Sequence, residues 1–116
     1  MRIFMAVFLG SSSAMKEWES LSAEEMRKRQ VAGQEAWGNW VKKNQASIVE
    51  HGSPLGKTLK VNSSGVLPTK NALTAYTVVR ADSHETAAKL FLEHPHFTIF
   101  PGDSVEVMEC LPIPKV

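Results

Sequence analysis

Apolar residues fill both alternating sets of positions at the start of the chain. Ile3, Met5, Val7 and Leu9 fall on one side of an extended segment, and Phe4, Ala6 and Phe8 on the other. Arg2 to Leu9 therefore reads as a strand covered on both faces. The same run is short and weakly charged for a secretory leader, and a buried strand accounts for it better. Gly10 to Ser20, carrying Met15 and Trp18, reads as a loop. The period then changes. Met26, Gly33, Trp37, Trp40, Val41 and Ile48 recur at helical spacing, which predicts a long helix from Leu21 to His51. Ser22-Ala23-Glu24-Glu25 is a capping box, with Leu21 and Met26 at the staple positions. Gly33 marks a place where a neighbour comes close to the helix backbone. Gly52 reads as the C′ residue, and Pro54 prevents continuation.

Leu55 to Val61 is predicted as the second strand, with Leu55, Lys57, Leu59 and Val61 on one face and Thr58 and Lys60 on the other. Its lysines suit a sheet edge. Asn62 to Gly65 turns the chain, and Pro68 keeps the next residues in a loop. Leu73 to Arg80 is the third strand, with Leu73, Ala75, Thr77 and Val79 opposite Tyr76 and Val78. Asp82 or Ser83 caps a second helix, whose stripe is Ala87, Ala88, Phe91 and Leu92 and which Pro95 stops. Ser104 to Leu111 is the fourth strand.

The order β-α-β-β-α-β is the α+β, ferredoxin-like arrangement: a four-stranded antiparallel sheet with two helices on one face. Such a sheet leaves its other face bare. Several residues there are apolar, so a homodimer in which two sheets cover each other is expected.

Composition narrows the function. The 116 residues suit one domain spanning 1–116. Net charge is +1 with no basic block, so no nucleic-acid partner is expected. No run approaches the length of a membrane span, so no membrane partner is expected either. The single cysteine, Cys110, forms no intrachain disulfide, fits a cytoplasmic setting and reads as structural, because Glu106 and Glu109 oppose a thiolate.

Three stretches resemble the YCII-related family of small dimeric α/β-barrel proteins. They are the opening strand followed by Leu21-Ser22-Ala23-Glu24-Glu25-Met26, the hairpin from Pro54-Leu55-Gly56 to Leu73-Thr74-Ala75-Tyr76-Thr77-Val78-Val79, and Ser83 to Phe91 followed by His94-Pro95 and Val105-Glu106-Val107. The resemblance spans nearly the whole chain and implies a dimeric barrel, with acid-base or isomerase-like chemistry as proposed for some members. Many members carry Asp-Gly-Pro-Phe in the hairpin loop, where this chain reads Ser64-Gly65-Val66-Leu67-Pro68-Thr69-Lys70.

The candidate chemistry sits in the bend His94 to Asp103, which holds two imidazoles, two aromatic rings, a Pro-Gly turn and a carboxylate. Asp103 paired with His94 or His96 would orient a ring whose other nitrogen moves a substrate proton. The plainer reading makes His94 a protonated C-terminal residue of the second helix and Asp103 a turn residue. The two histidines lie two apart across a proline and lack an evident third ligand, so no metal site is expected. Trp37, Trp40, Tyr76 and Phe97 are candidate walls for a flat, apolar ligand, or else ordinary core. The leading reading is a cofactor-free acid-base enzyme, isomerase- or lyase-like, acting on a small organic molecule. The alternative is a non-catalytic ligand-binding or structural homodimer.

Overall fold

A computed structural model describes residues 1–114. Strand β1 (Arg2–Gly10) leads through α1 (Ser12–Glu19) into the long helix α2 (Ala23–Lys43). A 3-10 turn (Gln45–Ser47) precedes β2 (Ile48–Pro54), then the hairpin strands β3 (Thr58–Asn62) and β4 (Gly65–Thr69). Strand β5 (Leu73–Ala81), α3 (His84–Lys89), α4 (Pro95–Thr98) and β6 (Gly102–Glu109) complete the chain. The main sheet has the order β2-β5-β1-β6 and every pairing is antiparallel. This is the ferredoxin-like α+β fold expected. The second strand of that sheet, however, is Ile48–Pro54, and the segment expected to fill that place is instead half of a separate two-stranded hairpin.

The core follows the alternation of the strands. Phe4, Ala6 and Phe8 from β1 and Ala75, Val79 and Ala81 from β5 are buried against Trp40 of α2, Ala87 of α3 and Phe91. Thr77 shares that buried face, and its hydroxyl donates to the His51 carbonyl at 3.1 Å. The opposite face stays open: Ile3, Met5 and Met108 are 37, 36 and 44% exposed.

Several boundaries differ from the sequence reading. The serine-rich loop is helical: Ser11 Oγ accepts from the Ala14 amide at 3.2 Å and caps α1. Helix α2 has the expected capping serine, Ser22, but it ends at Lys43, well short of His51. Asn44 caps that end, its side-chain amide donating to the Trp40 carbonyl at 2.9 Å. Ile48 and His51 therefore belong to β2. Gly52 has φ of 73°, but inside that strand, where the pairing with β5 shifts register. A side chain there would meet the Tyr76 carbonyl, so only glycine fits the bulge. Pro68 lies in β4 opposite Leu59. Pro95 opens α4 instead of only closing the preceding helix. Ala88 and Leu92 are exposed and leave the expected stripe. Cys110 lies just past β6 and is exposed, not a packed strand residue.

Candidate active site

Helix α2 crosses the buried side of the sheet with Trp37 and Trp40 turned toward the sheet and the bend beyond α3. Gly33 is buried where the Phe100 ring lies on the helix backbone; a Cβ at Gly33 would run into that ring. The close neighbour expected at Gly33 is thus Phe100. Phe100 also packs against Trp18 and Trp37, with both ring centroids 6.0 Å away, and its amide donates to the Pro95 carbonyl at 2.9 Å. These contacts hold the bend against α2 and leave a cavity of about 640 Å³ beside it.

The cavity wall is largely apolar. Trp37, Gly38 and Val41 come from α2, Gly52 and Pro54 from β2, and Phe100 and Pro101 from the bend. Its polar groups are few: Gln34, His51, Ser53, Thr74, Tyr76 and His96. A concave, mainly apolar space with a small number of polar groups is the ordinary form of a small-molecule site.

His96 is 5% exposed and lines this cavity. Its Nε2–H donates to the Leu9 carbonyl at 2.8 Å and is shared with the Ser104 carbonyl at 3.1 Å. Carbonyls only accept, so Nε2 carries a proton, and of the two neutral tautomers these contacts select the one whose lone pair is on Nδ1. The packing is close enough that a side chain at Gly102 would meet both the ring and the carbonyl of His96.

His94 lies behind the cavity wall and is fully buried. Its Nδ1 accepts from the His96 amide at 3.0 Å and caps α4. The ring stands perpendicular to Trp37 at 4.2 Å and is steeply inclined to Trp40 at 4.7 Å. Its Nε2 is buried with no hydrogen-bonding partner. Burial, and then the neighbouring His96, push its pKa down to about 3. The protonated helix-terminal role expected for His94 is therefore replaced by a neutral, buried cap.

The remaining candidates divide. Trp37 and Tyr76 line the cavity with His96, whereas His94, Trp40, Phe97 and Asp103 do not. Trp40 is core; its indole N–H donates to the Leu90 carbonyl at 2.9 Å and its ring packs on Phe91. Phe97 is exposed beside His96. Asp103 is exposed and accepts from its neighbour Ser104 at 3.2 Å, not from an imidazole. Tyr76 donates to Glu50 at 2.9 Å, and that bond, together with the carboxylate's charge, raises the phenol's pKa. The Tyr76 hydroxyl is thus held neutral. His51, Gly52 and Pro54 line the cavity from β2, a strand hidden in the sequence because a helix to His51 with Gly52 and Pro54 as its terminator fits the same residues. Among the described residues, no three histidine, cysteine or carboxylate side chains gather closely enough to hold a metal ion, and no helix is long and apolar enough to cross a membrane.

The fold and cavity define a ferredoxin-like α+β protein with a pocket between its long helix and its sheet. No protein-family model matches the chain, and no curated protein matches it. Among solved structures it is similar to 5-chloro-2-hydroxyhydroquinone dehydrochlorinase (TftG) from Burkholderia phenoliruptrix AC1100, in complex with 2,5-dihydroxybenzoquinone. The superposition has a TM-score of 0.51 at 12% identity and covers 90% of this chain and 89% of that one. At that identity the likeness is one of fold.

Proposed function

We propose that the cavity binds a small, flat, weakly polar organic molecule and that His96 Nδ1 accepts a proton from it, without a cofactor. The observation that carries this reading is the double carbonyl contact at Nε2. It fixes one tautomer and leaves the other ring nitrogen as an acceptor in a largely apolar pocket. Substrate C–H or O–H gives its proton to Nδ1 and keeps the electron pair. Return of the proton at another atom completes an isomerisation, and departure of a leaving group completes a lyase-type elimination. The orienting task expected of Asp103 falls to the Leu9 and Ser104 carbonyls, and His94 contributes by holding the His96 backbone. Trp37 and Tyr76 face the bound ligand.

The reading also includes a cytoplasmic homodimer closed over the open sheet face, and kinship with the YCII-related family on the sequence features given above. The quinone bound by the structurally similar dehydrochlorinase is a molecule of the proposed kind and serves as a first probe.

Quenching of tryptophan fluorescence by 2,5-dihydroxybenzoquinone reads binding at Trp37. Anaerobic NMR of deuterium exchange into hydroxyhydroquinones reads proton transfer. In His96→Gln, whose amide N–H can still reach both carbonyls, exchange is expected to fall by about 100-fold or more while probe affinity changes little. Exchange unaffected by the substitution would refute the assignment. Saturable binding with no exchange in the unsubstituted protein would make it a ligand-binding module.

A further inference from the structure

Strand β2 carries its bulge at the edge of the cavity. Glu50 pairs with Val78 and Ser53 with Tyr76, so His51 and Gly52 together stand opposite the single residue Thr77. Residues opposite each other in an antiparallel pair share a face, and Thr77 lies on the buried face of the sheet. The Thr77 hydroxyl donates to the His51 carbonyl at 3.1 Å and fixes the bulge there. Gly52 completes it, with φ of 73° and the Tyr76 carbonyl where a Cβ would lie. Bulges re-aim side chains and are common beside active sites. This one turns His51 to the cavity side, where it lines the wall and stays exposed to water.

We propose that His51 is a second catalytic residue of this cavity, an acid that serves the substrate from the side away from His96. The proposal rests on the reading above, in which His96 Nδ1 takes a proton. His96 is anchored on β1 and β6 through the Leu9 and Ser104 carbonyls. His51 stands on β2, which β5 separates from β1 by about 10 Å. The two imidazoles therefore enter the cavity from different walls, with the space for a flat ring between them. Their settings are complementary. His96 is buried and its Nε2–H is committed, whereas His51 meets water, which reloads it with a proton between turnovers. On a hydroxylated ring, the O–H bond breaks as His96 Nδ1 takes the proton, and the electron pair moves into the ring. A ring carbon then forms a C–H bond with a proton of the His51 imidazolium, whose N–H pair stays on the imidazole. The product is the keto tautomer, and water returns both imidazoles to their starting states. In heavy water His51 delivers deuterium, and reversal that removes the original hydrogen leaves a ring C–D bond.

Anaerobic NMR of deuterium exchange into hydroxyhydroquinone, with a fluorescence titration of 2,5-dihydroxybenzoquinone alongside, tests it on the full chain. In His51→Gln the exchange rate is expected to fall at least about 10-fold, while the affinity for the quinone changes little. Added imidazole is expected to restore exchange in that variant, because the vacated place is open to water. A purely structural role for His51 gives no such rescue. Exchange at the ordinary rate in His51→Gln, or a loss that imidazole does not restore, would overturn the proposal. If His96→Gln abolishes exchange and His51→Gln does not, this proposal falls and the reading of His96 stands. Absence of exchange in the unsubstituted chain, or exchange that survives His96→Gln, would remove that reading and this proposal together.

Discussion

At His94 the fold keeps a neutral imidazole among the rings of Trp37, Trp40, Phe8 and Phe91. The ordinary imidazole takes up a proton near 6.5, whereas here uptake waits until about pH 3. Between those values the unfolded chain binds a proton that the folded chain does not. Stability from this residue is therefore whole above 6.5 and is lost as pH falls toward 3, by up to about 1.4 kcal/mol per pH unit. His94→Asn keeps a capping acceptor for the His96 amide and removes the titration. That variant is expected to start about 1–3 kcal/mol less stable because of the space it vacates, yet to lose less as the pH is lowered from neutral toward the acid range. Urea unfolding across that range compares the two proteins. Taking their difference removes the shared contribution of the exposed Arg2–Glu109 pair, which holds the Glu109 carboxyl below its ordinary pKa. Equal slopes would show that His94 is not the source.

Helix α2 carries two glycines with opposite surroundings. A methyl at Gly33 meets the Phe100 ring, whereas one at Gly38 meets nothing within 4 Å. Either change to alanine gains about 1 kcal/mol of helix propensity. At Gly33, displacement of the ring costs about 1–3 kcal/mol and outweighs that gain. Gly33→Ala is therefore expected to lower the melting temperature and loosen the bend that carries His96. Gly38→Ala is expected to raise the melting temperature and, because Gly38 lines the cavity, to weaken binding of the quinone probe. Melting curves with and without the probe check both directions. The same helix shows how far the sequence could be read. Its start was legible because Ser22 and Glu25 form a local signal that needs no tertiary partner. Its end was not, because Asn44 caps it quietly and Gly52, whose positive φ resembles a helix terminus, serves a strand bulge. The alternation in β1 and β5 was also legible, as was the His94–Asp103 bend, of which His96, Phe100, Pro101 and Gly102 line the cavity. What the bend does with each residue was not. Burial of His94 and the Leu9 carbonyl at His96 come from distant parts of the chain, and no local pattern encodes them.

At the scale of the whole molecule, the described chain is flat and extended, measuring 55 × 43 × 18 Å with a radius of gyration of 16.2 Å. A compact chain of this length has a radius near 14 Å or slightly less, about 13 Å at one hundred residues. The excess goes with the hairpin that leaves the main sheet and with a sheet covered on one side only. Burying the open face in a second copy links folding to association, and linkage has a measurable sign: what binds only the folded form raises its melting temperature with concentration. The melting temperature is accordingly expected to climb from nanomolar to high micromolar protein. Met5→Glu places a charge in the centre of the open face, and in that variant the midpoint should be lower and nearly independent of concentration. Small-angle scattering should give a radius of gyration clearly above 16.2 Å for the unsubstituted chain and a smaller one for the variant. A midpoint that stays fixed across the concentration range would mean that the open face is stable in water, and the physical case for pairing the sheets would be lost.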